Sequence, residues 1–188
     1  MDDFEIAGGN ARRLWIKRAD GLPGIKAERL GDGLRRIYRL ARLFIPQGQG
    51  LDVGPAFFAD DKERGYPGAV PVDTSIPGSG SAEQLIQADN SQDYVFSSHC
   101  WEHVADPERA AREAWRVLKP GGVLFLYLPF PGQPNWDPAL SVEARKHHKW
   151  QPAPTQVSRL LLLNRFEVVY LEYDKDEMCS FVAVAKKR

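Results

Sequence analysis

The chain predicts a three-layer α/β fold around a mostly parallel sheet, on three observations. Residues 94–97 and 123–128 are short apolar runs without alternation, the pattern of strands covered on both faces. Between them Asp106-Pro107 opens a helix whose Ala111, Ala114, Trp115 and Leu118 recur at helical spacing, and Pro120-Gly121-Gly122 stops it. Further on, residues 166–173 and 180–185 flank the charged turn Asp174-Lys175-Asp176-Glu177, which predicts a C-terminal antiparallel hairpin. A strand-helix-strand unit crosses over right-handed, so ligands are expected beyond the carboxyl ends of its strands.

A chain of 188 residues suits one domain, read as a core over 47–188 behind a helical extension over 1–46. Basic and acidic side chains balance at 25 each, which gives no global pull toward nucleic acid or an anionic membrane. No apolar run approaches the roughly 20 residues of a membrane span, and the N-terminus has no signal-peptide pattern. Cys100 and Cys179 have no metal-ligand spacing and read as small buried hydrophobes, so a reduced, cytoplasmic setting is expected.

In chain order, residues 1–33 are polar and aperiodic. Over 34–45, Leu34, Ile37, Tyr38, Ala41 and Phe44 or Ile45 share one helical face, with Arg35, Arg36, Arg39 and Arg42 elsewhere on the wheel. That helix packs on the sheet with a solvated arginine face, or offers its arginines to an anionic substrate. Gly50-Leu51-Asp52-Val53-Gly54 reads as a strand running into a turn, and residues 69–73 as a second strand ending in Asp73. About twenty residues separate Asp52 from Asp73, the interval at which a nucleotide-binding unit carries an acid for ribose hydroxyls. Asp73 could equally cap the turn Asp73-Thr74-Ser75. Gly65, Pro67 and Gly68 limit residues 57–67 to a short helix or loop, and residues 76–81 have flexible-loop chemistry.

Ser98-His99-Cys100-Trp101-Glu102-His103 forms a polar elbow between a strand end and a helix, where side chains can face a cleft. A histidine of near-neutral pKa suits removal of an acceptor's proton; alternatively Glu102 and His103 pair with each other or cap the helix. After Leu128 comes a rigid loop carrying Phe130 and Trp136. Residues 145–152 then gather Arg145, Lys146, His147, His148, Lys149 and Trp150, which suits an anionic or hydroxyl-bearing ligand or solvates the start of the next helix. No cysteine or carboxylate is spaced to complete a zinc site there, so no metal is expected. A helix beginning at Pro154 or Thr155 has Val157, Leu160, Leu161 and Leu163 to bury.

The block from Asp93 to Pro129, with Glu102-His103, Asp106-Pro107 and Leu118-Lys119-Pro120-Gly121-Gly122 in order, resembles the small-molecule subgroup of class I S-adenosylmethionine-dependent methyltransferases. The likeness is close over 93–129 and looser from Leu51. It implies a Rossmann-like methyltransferase fold, trimmed in the middle because residues 73–93 are too few for the family's further helix and strand. It also implies S-adenosylmethionine as donor and an oxygen or nitrogen of a small molecule, a sugar for example, as acceptor. Cofactor contacts then fall to Asp52, Gly54, Pro55, Asp73, Ala82, Glu83, Ser98 and His99. Phe130, Trp136 and Trp150 line the acceptor, and His103, then His147 or His148, is the base. No membrane or nucleic-acid partner is expected, and a homo-oligomer is left open. The sequence departs from the family where Gly54-Pro55-Ala56-Phe57-Phe58 keeps one glycine of Gly-x-Gly-x-Gly, with Phe58 placing a ring where the family has none. Ser81 also replaces the acid of the family's Asp-Ala-Glu-x-Leu step. These departures support a second reading, an inactive methyltransferase-like binding or scaffold protein.

Overall fold

A computed structural model describes residues 37–55, 66–134 and 136–188. The readings for residues 1–36 and for Ala56 and Phe58 lie outside these. Along the chain come α1 (residues 37–41), β1 (Gly50–Val53), β2 (Val70–Val72), the short strands β3 (Gly80–Ser81) and β4 (Gln84–Leu85), and β5 (Gln92–Ser98). A 3-10 turn (Trp101–His103) follows, then α2 (Pro107–Val117), β6 (Leu118–Pro129), α3 (Val142–His147), α4 (Pro154–Leu163), β7 (Phe166–Leu171) and β8 (Ser180–Lys187). Six strands make one sheet in the order β2-β1-β5-β6-β8-β7, and β3 pairs with β4 apart from it. β2, β1, β5 and β6 run parallel, whereas β8 is antiparallel to both β6 and β7. Among the described residues no helix is long and apolar enough to cross a membrane.

Each central strand is buried on both faces, which is why its sequence does not alternate. In β6, Leu124, Leu126 and Leu128 join one core with Ala110, Ala111, Ala114 and Val117 of α2 and Val157 and Leu161 of α4. Val123, Phe125 and Tyr127 face the other way, toward Ile37, Tyr38, Leu40 and Ala41 around α1.

α2 starts where its sequence places it. Asp106 Oδ1 accepts from the Arg109 amide at 2.9 Å, and Pro107 occupies a first-turn position that needs no N–H. Its end differs from expectation. Leu118 leaves the helix at ψ 140 and begins β6 directly, so residues 118–122 lie in the strand. The Pro-Gly-Gly step is an irregularity rather than a stop: Gln92 pairs with Leu118 but Tyr94 pairs with Val123, and Gly121 takes up the slack at φ +79. Trp115 is only partly buried, under the Lys187 ammonium at 3.8 Å from the ring centre.

Other corrections have similar local causes. Turns replace the first helix after residue 41, although the Ile45 amide still reaches the Ala41 carbonyl at 2.8 Å. In α4, Val157 and Leu161 are one stripe at i and i+4, while Leu163 lies two residues round the helix and is 68% exposed. The basic stretch read over 145–152 begins inside a helix, Val142–His147, whose start is capped by the Ser141 hydroxyl accepting from the Ala144 amide at 3.2 Å. In place of a further helix and strand, the middle of the chain holds the β3–β4 pair.

Candidate active site

The parallel registers bring the ends of β2, β1 and β5 to one edge of the sheet. Val53 pairs with both Val72 and Ser97, so Asp73, Gly54 and Ser98 emerge side by side. Gly54 has φ +87 and donates its amide to the Val72 carbonyl at 2.9 Å. A Cβ here would run into the Cys100 side chain, so this turn needs glycine because the elbow packs on it. Burial pushes the Cys100 thiol up to about 12, with Glu102 adding to the rise. Pro55, next in the turn, is buried.

Asp73 caps its own turn: Oδ1 accepts from the Ser75 amide at 2.8 Å. Ser79 braces it, accepting from the Asp73 amide at 3.0 Å and donating to its carbonyl at 2.7 Å. Ala82 and Glu83 form the turn between β3 and β4. Glu83 Oε1 accepts from the Asp106 amide at 2.8 Å, a fastening to the start of α2 that takes one of its two oxygens. Arg116 of α2 holds the same hairpin, donating to the Leu85 and Gln87 carbonyls at 2.8 Å each. Asp52 sits apart from this group. It is 4% exposed on the α1 face, accepts from the Tyr66 amide at 2.7 Å, and is pushed up to about 7 by burial. It lies beneath the edge and ties down the chain returning to β2.

The elbow is built around Glu102, which is 1% exposed. His99 has φ 49 and anchors its amide on the Tyr127 carbonyl at 2.9 Å. Its Nδ1 lies 3.3 Å from Glu102 Oε1 and its Nε2 3.0 Å from the Ser180 hydroxyl. The ring packs on Tyr127 at 5.0 Å and Trp136 at 5.4 Å. His103 Nε2 is 3.8 Å from Glu102 Oε1, and its Nδ1 donates to the His147 carbonyl at 3.3 Å. Burial by itself would raise the Glu102 carboxyl, but the His99 hydrogen bond and the charges of His99 and His103 outweigh it and hold it below the usual range.

Residues 147–150 dock on this turn. The Lys149 amide donates to the Glu102 carbonyl at 2.8 Å, and Trp150 Nε1 donates to the Trp101 carbonyl at 2.6 Å. The rings of His103 and His148 come to 4.9 Å at 80°. Burial lowers the His148 pKa, against the pull of Glu102.

The two histidine pairs of the sequence therefore meet, through His103 and His148. His147 is exposed and contributes its carbonyl. Trp150 packs against the aliphatic core and is tethered to the Trp101 carbonyl, while the Trp136 ring lies 5.4 Å from that of His99. Phe130 packs edge-on to Phe181 at 6.0 Å. One carboxylate and two histidines, Glu102, His103 and His148, present ligand atoms within 4.8 Å of one another. The ground for excluding a metal fails here: the missing carboxylate comes from the elbow, 46 positions upstream of His148. Sequence reading also missed Ser180 and the link from Glu102 to His99; Glu102 standing between two histidines was the available signal.

Comparison with known proteins gives this arrangement a family. The profile described as "Methyltransferase domain" matches residues 33–126, half of the chain. The chain belongs to the methyltransferase domain family. The ubiquinone/menaquinone biosynthesis C-methyltransferase UbiE of Vibrio campbellii is 30% identical over 152 residues, 73% of this chain and 55% of that protein. The malonyl-[acyl-carrier protein] O-methyltransferase of Alcanivorax borkumensis is 33% identical over 123 residues, 64% of this chain and 40% of the relative. The chain thus spans about half the length, or less, of the curated relatives it matches. Among solved structures, a SAM-dependent methyltransferase of Thermotoga maritima superposes with TM-score 0.59 at 19% identity, over 80% of this chain and 87% of that one. The [4+2]-cyclase SpnF also gives TM-score 0.59, at 16% identity over 89% and 84% of the two chains. At such identities the likeness establishes the mixed, mostly parallel methyltransferase fold and leaves chemistry to the site.

The residues of this methyltransferase domain fit the nucleoside end of S-adenosylmethionine better than its methionine end. Asp73 Oδ2 has no partner among the described residues, so the carboxylate can still accept from ribose hydroxyls. At Gly54 the room left by the missing Cβ is filled by Cys100 rather than open to a ligand. A groove of about 430 Å³ lined by Thr155, Ser158, Arg159, Leu162, Leu163 and Tyr173 includes none of these residues and plays no part in this assignment.

Proposed function

We propose that this domain transfers a methyl group from S-adenosylmethionine to an oxygen or nitrogen of a small molecule, a sugar or other hydroxylated metabolite. The observation that carries the reading is the convergence of Gly54, Asp73 and Ser98 with the Glu102 histidine group at one sheet edge, in a chain of this family. When bound, S-adenosylmethionine supplies a methyl group already activated on sulfonium sulfur. The chain's part is positioning and proton removal. Asp73 and the Ala82–Glu83 turn hold the nucleoside. Ser98 and His99 continue the same edge toward Trp136 and Phe130, which offer the acceptor apolar surface. The acceptor's proton passes to the histidine group seated on Glu102, whose carboxylate orients the His99 ring from its Nδ1 side. The relatives named above methylate carbon in one case and oxygen in the other; a site this rich in imidazole favours an acceptor with an acidic proton on oxygen or nitrogen.

Calorimetric titration of the full chain with S-adenosylmethionine and S-adenosylhomocysteine tests the reading. Binding is expected, and Asp73→Ala should weaken it by about tenfold or more, the scale of charge-assisted hydrogen bonds worth about 1.5–3 kcal/mol. No heat from the wild type at millimolar cofactor would overturn it. That result would favour the inactive binding or scaffold role, to which the lone glycine and the Cys100 packing point.

A further inference from the structure

We infer that Glu102, His103 and His148 form a binding site for a divalent first-row transition ion, of the zinc or cobalt type, at the carboxyl edge of the sheet. Two buried polar atoms without a partner and a further imidazole belong to residues whose ligand atoms come together there. Glu102 Oε2 is buried without a partner on a residue 1% exposed, and His148 Nδ1 is also buried without a hydrogen bond, although the Trp136 backbone lies near the ring. His103 supplies the further imidazole. Its Nδ1 faces the His147 carbonyl, which can only accept, so Nδ1 carries a proton and Nε2 is the nitrogen left to face a ligand. That nitrogen stands 3.8 Å from Glu102 Oε1, the oxygen that also faces His99, which is beyond hydrogen-bond distance. A cation held by the three residues gives the Glu102 carboxylate a partner it otherwise lacks, and burying a carboxylate oxygen unmet is costly.

Geometry and supporting contacts agree with this. The three ligand atoms lie within 4.8 Å of one another. Ligands on one tetrahedral ion, each about 2.1 Å from it, stand about 3.4 Å apart, so the side chains draw in by about 1 Å or a little more. Glu102 and His103 are adjacent in the 3-10 turn, and three hydrogen bonds fix His148 over them: Lys149 N–H to the Glu102 carbonyl, Trp150 Nε1–H to the Trp101 carbonyl and His103 Nδ1–H to the His147 carbonyl. A ligating histidine that gives its other N–H to a backbone carbonyl, and a ligating carboxylate that accepts a further hydrogen bond, as Glu102 does from His99, are the usual outer contacts of metal sites. Two imidazoles and one carboxylate suit zinc-like ions over calcium or magnesium and leave coordination positions for a small oxygen ligand. For its catalytic consequence the inference rests on the methyl-transfer reading: a hydroxyl bound at an open position would lose its proton more readily, with His103 acting as ligand rather than base. Binding of the ion itself does not depend on that reading.

The test is titration of the chelator-treated full chain with Co²⁺, followed by its visible ligand-field bands and by calorimetry. One equivalent should bind, His103→Ala and His148→Ala should each weaken binding by about tenfold or more, and His147→Ala should change it little. Glu102→Gln should do the same as the first two, but it also alters a fully buried group that holds the turn, so the two histidine variants, checked for native circular dichroism, decide. No uptake by the wild type, or uptake unaltered in both His103→Ala and His148→Ala, overturns the site. Cobalt uptake without S-adenosylmethionine binding leaves the site standing and removes the methyl-transfer reading; the opposite pair of results does the reverse.

Discussion

The sheet face beneath α2 and α4 is largely aliphatic, while the face beneath α1 is aromatic, and the two treat charge differently. Leu51, Val53, Val95, Leu124, Leu126 and Leu128 fill the first, and Arg116 and Glu113 of α2 stay at its rim, pairing with each other and the β4 backbone. On the second, Phe96 stacks between Tyr66 at 4.7 Å and Phe125 at 5.4 Å, and two carboxyl groups are buried nearby. Asp52 accepts from the Tyr66 amide at 2.7 Å and Asp176 from the Tyr127 hydroxyl at 3.0 Å. For Asp176 a tyrosine makes this possible, because its ring is apolar bulk and its hydroxyl a hydrogen-bond partner, whereas Asp52 is met by a main-chain N–H. The aliphatic face has no such handles, and its Arg116–Glu113 pair stays at the rim.

The largest effect that probes this contrast is Phe96→Ala, which should cost about 3–5 kcal/mol in denaturant unfolding and at least as much as Leu126→Ala, because it removes both ring stacks with the buried area. A larger loss at Leu126 would show that the aliphatic side carries more of the core.

Next comes pH. Burial pushes Asp52 and Asp176 each up to about 7. The folded state therefore holds protons that the unfolded chain has released above about 4. Their contribution is fully present below that unfolded value and is lost as pH rises to and through 7, so stability should fall across this window, by roughly 8 kcal/mol at most for the two shifts together. Asp52→Asn should flatten the slope of melting temperature against pH between 5 and 8 while keeping an oxygen for the Tyr66 amide. An unchanged slope in Asp52→Asn and Asp176→Asn alike would break the assignment of titrating charge to the aromatic face.

Arg116→Ala sharpens the comparison from the aliphatic side. Loss of the fork to Leu85 and Gln87 should cost about 1–3 kcal/mol and speed amide exchange at Leu85. Smallest is Trp150→Phe, which keeps the packing but removes the donor to the Trp101 carbonyl. About 1 kcal/mol is expected, read as a shift in denaturation midpoint without a change in slope.

What the sequence displayed and what it concealed divide along physical lines. Local chemistry was legible: the Asp106 cap with Pro107 behind it, the apolar runs of β5 and β6, the charged turn before β8. Readings that depended on direction round a helix were half right, so Val157 and Leu161 are buried but Leu163 is not. Concealed were features set by sheet order. Nothing near Ser180 announces that β8 enters beside β6 and brings that hydroxyl to His99, and nothing near residue 148 announces that hydrogen bonds from Lys149 and Trp150 will seat it on Glu102. The β3–β4 pair was hidden for another reason: two-residue strands leave no periodicity to read, and Gly80, whose absent Cβ lets the Gln84 carbonyl approach, looks like any loop glycine.

The place of β8 between β6 and β7 also bears on how the molecule is made. Seven register pairs join β6 to β8, from Val123 with Lys186 to Pro129 with Ser180, so the outer side of β6 stays unpaired until residues 180–187 have left the ribosome. Until then β6 offers an open, fully apolar strand edge, with the Phe125 ring beside it, to any other extended chain. Contacts so distant in sequence form slowly. Synthesis of this domain is therefore expected to pass through a stage that depends on chaperones or on low concentration, and the most aggregation-prone species would be a chain halted before residue 180 rather than the finished protein.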